Sequence, residues 1–115
     1  MEIWELGAVE LAAALRAREL SAVDALRAVQ ERADAMAGLN PFALRLAERA
    51  QSAAVTADAQ LAAGEGGPLC GVPLTVKDSH YMAGVPTMHG SSAVPPYVPG
   101  ETVCAVRRLE GAGAR

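Results

Sequence analysis

Leu69-Cys70-Gly71-Val72-Pro73-Leu74-Thr75-Val76-Lys77-Asp78 decides the fold class of this 115-residue chain. Leu74 to Val76 reads as a short buried strand, with Pro73 tolerated only at its start, where no ladder N–H is needed. Upstream the sequence is helical in period; downstream it turns to loop and then to one more helix. A strand followed by a crossover helix is two thirds of a βαβ unit, so the expected class is α/β. The parallel strand that would complete the unit is missing from these residues, which makes the expected sheet incomplete.

Glycine and proline divide the chain near residue 64. Of 11 Gly, 2 precede that point and 9 lie from it onward; of 7 Pro, 1 precedes and 6 follow. Residues 1–63 are expected to form a helical segment and 64–115 the start of the sheet-bearing core. In the first part a helix is expected from just after Gly7 to about Arg18, with Ala8, Leu11, Ala12 and Leu15 on one face. Ser21 and Asp24 open a second, whose stripe is Leu26, Val29, Ala33 and Met36; Gly38 is its expected left-handed stop, ahead of Pro41. The third spans about Leu46 to Ala63, on a mostly alanine face of Leu46, Ala50, Ala53, Ala57 and Leu61. Gly64-Glu65-Gly66-Gly67 reads as a flexible link without the Lys-Ser/Thr of a phosphate loop. Residues 79–100 read as a long ordered loop, and Thr102 as the cap of a last helix with Val103, Val106 and Leu109 inward.

Composition narrows the function. The net charge is −3 and aromatic residues make up 3% of the chain, which gives neither the basic excess nor the rings that nucleic acid demands. No run approaches a membrane span, and the acidic Met1-Glu2-Ile3-Trp4-Glu5 start does not resemble a signal peptide, so a cytoplasmic protein is expected. Cys70 and Cys104 have no CxxC partner, and their spacing to His80 and His89 matches no usual metal site. Neither metal nor cofactor is expected. Ser91 and Ser92 have no G-x-S-x-G or S-x-x-K setting and read as turn caps.

One residue stands apart. Nine of the 10 basic residues are Arg, and the single Lys, Lys77, directly follows the apolar strand. Lysine loses its proton readily when desolvated and can then act as base or nucleophile, which arginine cannot. By itself Lys77 also reads as a strand-end lysine reaching solvent or pairing with Asp78.

The surrounding residues add a pattern. The stretch from Leu69 to Asp78, then Ala83-Gly84-Val85-Pro86-Thr87, Gly90-Ser91, Pro99, Thr102 and Arg108-Leu109 to Ala112-Gly113-Ala114, resembles the amidase signature family in order and spacing. Glu10 to Arg16, Leu20-Ser21 and Leu39-Asn40 with Phe42 resemble the N-terminal helices of its bacterial members. Cys70 stands where His is frequent in the family, and Thr102 where Asp is usual.

The resemblance implies the N-terminal portion of the amidase fold: about three helices, the first strand of the sheet, a long loop and a crossover helix. It also implies acyl chemistry at a carboxamide by a Ser, cis-Ser, Lys triad, with Lys77 as the base and both serines outside this sequence. The substrate would be a small amide, the family holds both hydrolases and components of amidotransferases, and a homo-oligomer is left open. A piece of an amidase, inactive alone, is the expectation; a non-catalytic helical interaction module is the alternative.

Overall fold

The computed structural model describes residues 1–115. Its helices are α1 (Ala8–Arg16), α2 (Ala22–Ala35), α3 (Ala47–Ala62) and α4 (Cys104–Gly111), with 3-10 turns at Ile3–Glu5 and Ala37–Leu39. None is long and apolar enough to cross a membrane. The starts of α1 and α2 follow from local chemistry. At α1 the Glu10 carboxylate turns back to accept the Gly7 N–H at 2.9 Å. At α2 the Ser21 hydroxyl accepts the Asp24 N–H at 3.0 Å and donates to the Asp24 carboxylate at 2.7 Å.

Three expected details differ. Gly38 does not end α2; the helix tightens into the 3-10 turn, and Asn40 takes the left-handed conformation (φ 48°) just before Pro41. Thr102 does not cap α4, whose N-cap is Val103 without a side-chain hydrogen bond; the Thr102 hydroxyl instead accepts the Ala83 N–H at 3.0 Å. Gly64 to Gly67 is a packed corner and not a loose link. A Cβ on Gly67 would lie 2.4 Å from the Ala112 carbonyl oxygen, and the Glu65 N–H is bonded to Gln60 O.

The core is one cluster: Leu11, Leu15, Ala22, Ala25, Leu26, Ala54, Ala57, Cys70 and Val72. α2 and α3 therefore meet largely through alanine. Each buried methyl contributes about 0.8 kcal/mol, against about 1.5–3 kcal/mol for each leucine that α1 and α2 supply. The shape is correspondingly open. The chain exposes 7370 Å², where a folded chain of this size exposes about 5,900 Å². Its radius of gyration is 14.8 Å against about 13.4 Å expected. Leu109, expected inward, is 38% exposed, while Val106 on the same helix is buried.

The expected strand over Leu74–Val76 does not form; the pairing there lies nearer Pro73. Arg115 N–H donates to Val72 O at 2.9 Å, and Leu74 N–H donates to Arg115 O. That is a single rung of parallel pairing across Pro73, which contributes no N–H of its own. The return from strand to crossover helix to neighbouring strand is thus begun by these residues, but no regular sheet forms; the only other bridge is antiparallel, Thr87 with Tyr97.

Candidate active site

A junction of close backbones carries the segment that ends in Lys77. Leu69 N–H bonds to Ala112 O at 2.8 Å, and Gly71 N–H to Gly113 O at 3.2 Å. Gly113 (φ 101°) lies so near that a Cβ would stand 2.6 Å from Cys70 Cα. Only glycine suits both that approach and that conformation. Cys70 is buried in the corner, with its Sγ 3.5 Å from Gln60 Oε1. Burial pushes its thiol above the usual range and Asp58 adds to the rise, against the pull of Arg115 and Arg16. A buried thiol of this kind is a core group and not a nucleophile.

Beyond the junction the chain runs without regular secondary structure to Lys77, whose side chain is exposed. Its carbonyl accepts the His80 N–H at 2.9 Å, closing the turn that follows. Lys77 takes part in none of the ion pairs, which are Arg27–Asp24, Arg45–Asp34 and Arg49–Glu110. The expected partner is engaged elsewhere. Asp78 Oδ1 accepts the Met88 N–H at 3.0 Å, and its Oδ2 accepts the Gly90 N–H at 3.3 Å. Between those two donors His89 is left-handed (φ 57°), as is Gly90 (φ 65°). These two residues are the corner of a turn that the Ser91 N–H closes on Met88 O, and the small concavity beside that turn holds the carboxylate on two of its N–H groups.

The rest of the loop is fastened in the same manner. Thr87 is 3% exposed and exchanges both backbone hydrogen bonds with Tyr97, at 2.7 and 3.0 Å. Gly84 N–H reaches Pro99 O at 3.0 Å, and Val103 N–H reaches Tyr81 O at 2.9 Å. The Tyr81 ring contacts Tyr97 (5.2 Å between centroids) and His89 (6.2 Å, edge to face). An aromatic cluster therefore lies on the loop that leaves Lys77.

Of the other residues singled out in sequence, Ser91 accepts the Ala93 N–H at 3.2 Å, a turn bond. Cys70 is buried and His89 is exposed against Tyr81, and no three metal-ligating side chains gather anywhere. Two polar surface depressions, one beside Gln30, Glu48 and Gln51 and one at the Gly64–Gly67 corner, do not include Lys77. Periodicity and local motifs missed both Asp78 as an acceptor and Asp58, which bonds the start of α2 from α3. Their type alone, a lone carboxylate amid backbone donors, was the available signal.

Comparison with known proteins gives a consistent outcome. The family model described as Amidase matches residues 24–115. A glutamyl-tRNA(Gln) amidotransferase subunit of Geobacter sp. (strain M21) is 38% identical over 99% of this chain and 24% of that protein. The corresponding protein of Acidothermus cellulolyticus is 42% identical over 92% of this chain and 21% of that protein. A solved structure described as "Crystal structure of amidase" superposes with a TM-score of 0.85 at 36% identity, covering 95% of this chain and 25% of that one. A second, from a vestigial complex bearing on the origins of an s-triazine catabolic enzyme, has a TM-score of 0.85 at 33% identity and covers 24% of that chain. The chain spans about a quarter of the length of the relatives it matches.

Proposed function

The chain belongs to the amidase family, and from that membership we propose that it is the lysine-bearing segment of an amidase signature hydrolase acting on a carboxamide C–N bond. The observation that carries this reading is the place of Lys77: the only lysine of the chain, free of ion pairs, directly after the Leu69–Val76 stretch on which the resemblance rests, with its carbonyl tied to the His80 N–H. In the mechanism that the family resemblance implies, Lys77 acts as a neutral amine. It takes a proton from a bridging serine, which takes one from the nucleophilic serine as its oxygen attacks the amide carbon. Collapse of the tetrahedral adduct breaks the C–N bond, the departing amine leaves with a returned proton, and water then releases the acid from the acyl-serine. The same resemblance implies that both serines lie outside these residues.

A lysine that serves as base must be desolvated in the working enzyme, because burial favours the neutral amine. The substrate is proposed to be a small amide, with no cofactor. A second reading is favoured by the curated relatives, whose names are those of an amidotransferase component: the same C–N cleavage would then hand ammonia to an acceptor bound on a partner. Ammonia released only when partner and acceptor are present would select that reading.

The test is substitution in the enzyme that contains this segment. Lys77→Ala and Lys77→Arg are both expected to lose several powers of ten in turnover, because a guanidinium cannot surrender its proton. Near-normal turnover by Lys77→Arg would overturn the assignment. The 115-residue chain alone is expected to hydrolyse simple carboxamides no faster than its own Lys77→Ala variant.

A further inference from the structure

We propose that Asp78 is the positioning residue of the Lys77 site; this rests on the reading of Lys77 as the base. Three observations carry it. The Asp78 carboxylate sits in a concavity of backbone donors, with one oxygen on the Met88 N–H and the other on the Gly90 N–H. His89 and Gly90, the left-handed corner of a turn closed by Ser91 N–H on Met88 O, present the Gly90 N–H to the carboxylate, and His89 also meets the Tyr81 ring edge to face. Finally, Lys77 is covalently next to Asp78 and its carbonyl is tied to the His80 N–H, so the peptide bearing the lysine is held on its C-terminal side by the carboxylate and by the turn together.

The arrangement does one thing for a lysine base. It anchors residues 86–98, through the Thr87–Tyr97 pairing, against the end of the lysine segment, so the loop and the Lys77 backbone keep one relative position.

The experiment uses the whole 115-residue chain labelled with 15N, as wild type, Asp78→Ala, Asp78→Asn and Asp78→Glu. Backbone exchange at Met88 and Gly90 reads the concavity, and the order parameter of the Lys77 amide reads whether its effect reaches the lysine. In Asp78→Ala the protection of Gly90 is expected to fall about tenfold or more. The Lys77 order parameter is expected to drop from the rigid value of about 0.85 toward 0.6 or below. Asp78→Asn keeps one acceptor and should fall between, while Asp78→Glu should restore most of both signals.

Unchanged exchange at Gly90 and Met88 would overturn the proposal. So would a loosened loop with the Lys77 order parameter intact, because a purely structural anchor would produce that result. These readouts are independent of turnover. An active Lys77→Arg enzyme would remove the catalytic reading of Lys77 without altering what the labelled chain reports about Asp78.

Discussion

Asp58→Ala is the most informative perturbation of the fold. Three N–H groups at the start of α2 have no partner within the helix, those of Ala22, Val23 and Asp24, and each is nevertheless satisfied. Ser21 takes the Asp24 N–H. Asp58, reaching across from α3, takes Ala22 at 2.6 Å and Val23 at 3.2 Å. An N-cap acceptor is worth about 0.5–2 kcal/mol, and a hydrogen bond to a charged group about 1.5–3 kcal/mol. Two half-buried bonds of the second kind, made at the positive end of a helix, put the loss for Asp58→Ala at about 2–3 kcal/mol. By the factor of ten per 1.4 kcal/mol, that is at least about 30-fold faster amide exchange in the first turn of α2.

Asp58→Asn keeps one acceptor and should lose about 1 kcal/mol, as should Ser21→Ala. The Ser21→Ala, Asp58→Ala double variant should depart from additivity because both side chains serve one helix end. Backbone exchange at Val23 and Asp24 measures this, with far-ultraviolet circular dichroism as the check on total helix. A change under about threefold in Asp58→Ala, alongside a tenfold change in Ser21→Ala, would refute the reasoning. It would mean that water replaces the carboxylate without loss.

Other expected outcomes follow from the packing. Gly113→Ala should cost about 3 kcal/mol or more, since its Cβ would strike the Cys70 backbone in a left-handed conformation, whereas Gly90→Ala, in open space, should cost only about 1–2 kcal/mol; chemical denaturation separates them. A thiol reagent should label exposed Cys104 at once and buried Cys70 only on opening. Because the folded state favours the neutral Cys70 thiol, its contribution is complete below the ordinary thiol range and is lost as pH rises from there through the folded value, so the denaturation midpoint should drift down in alkali and stop drifting in Cys70→Ala. With 7370 Å² exposed and an alanine-rich core, the folded 115-residue chain should bind an apolar dye at its exposed apolar surface; a chain that binds none would contradict that.

The helices were legible because their signals are local. Ser21 and Asp24 lie within one turn, Gly7 and Glu10 likewise, and left-handed Gly64 follows directly on α3. Asp58 and Asp78 were not, because their partners lie 36 and 35 residues away in one case and 10 and 12 in the other. No periodicity encodes such a pairing. Thr102 shows the same limit, since its type suits a cap and its hydroxyl is spent on Ala83, 19 residues back. The expected strand was visible only as an apolar run, and which residues near it find a neighbour depends on Arg115, at the far end of a loop and a helix. Lys77 drew notice as the single lysine directly after an apolar run, and its role came from the family resemblance.

A single lysine has one more consequence. An endoprotease specific for lysine finds one peptide bond in this chain, Lys77–Asp78, and that bond joins α1 to α3 on one side to the loop and α4 on the other. The halves also meet away from it, through Leu69 with Ala112, Gly71 with Gly113, Val72 and Leu74 with Arg115, and the Arg49–Glu110 ion pair. Nicking would leave that seam in place while abolishing the tether, turning an intramolecular contact into one that depends on concentration. The dilution at which the two pieces part would weigh the seam directly, without a substitution anywhere in the chain.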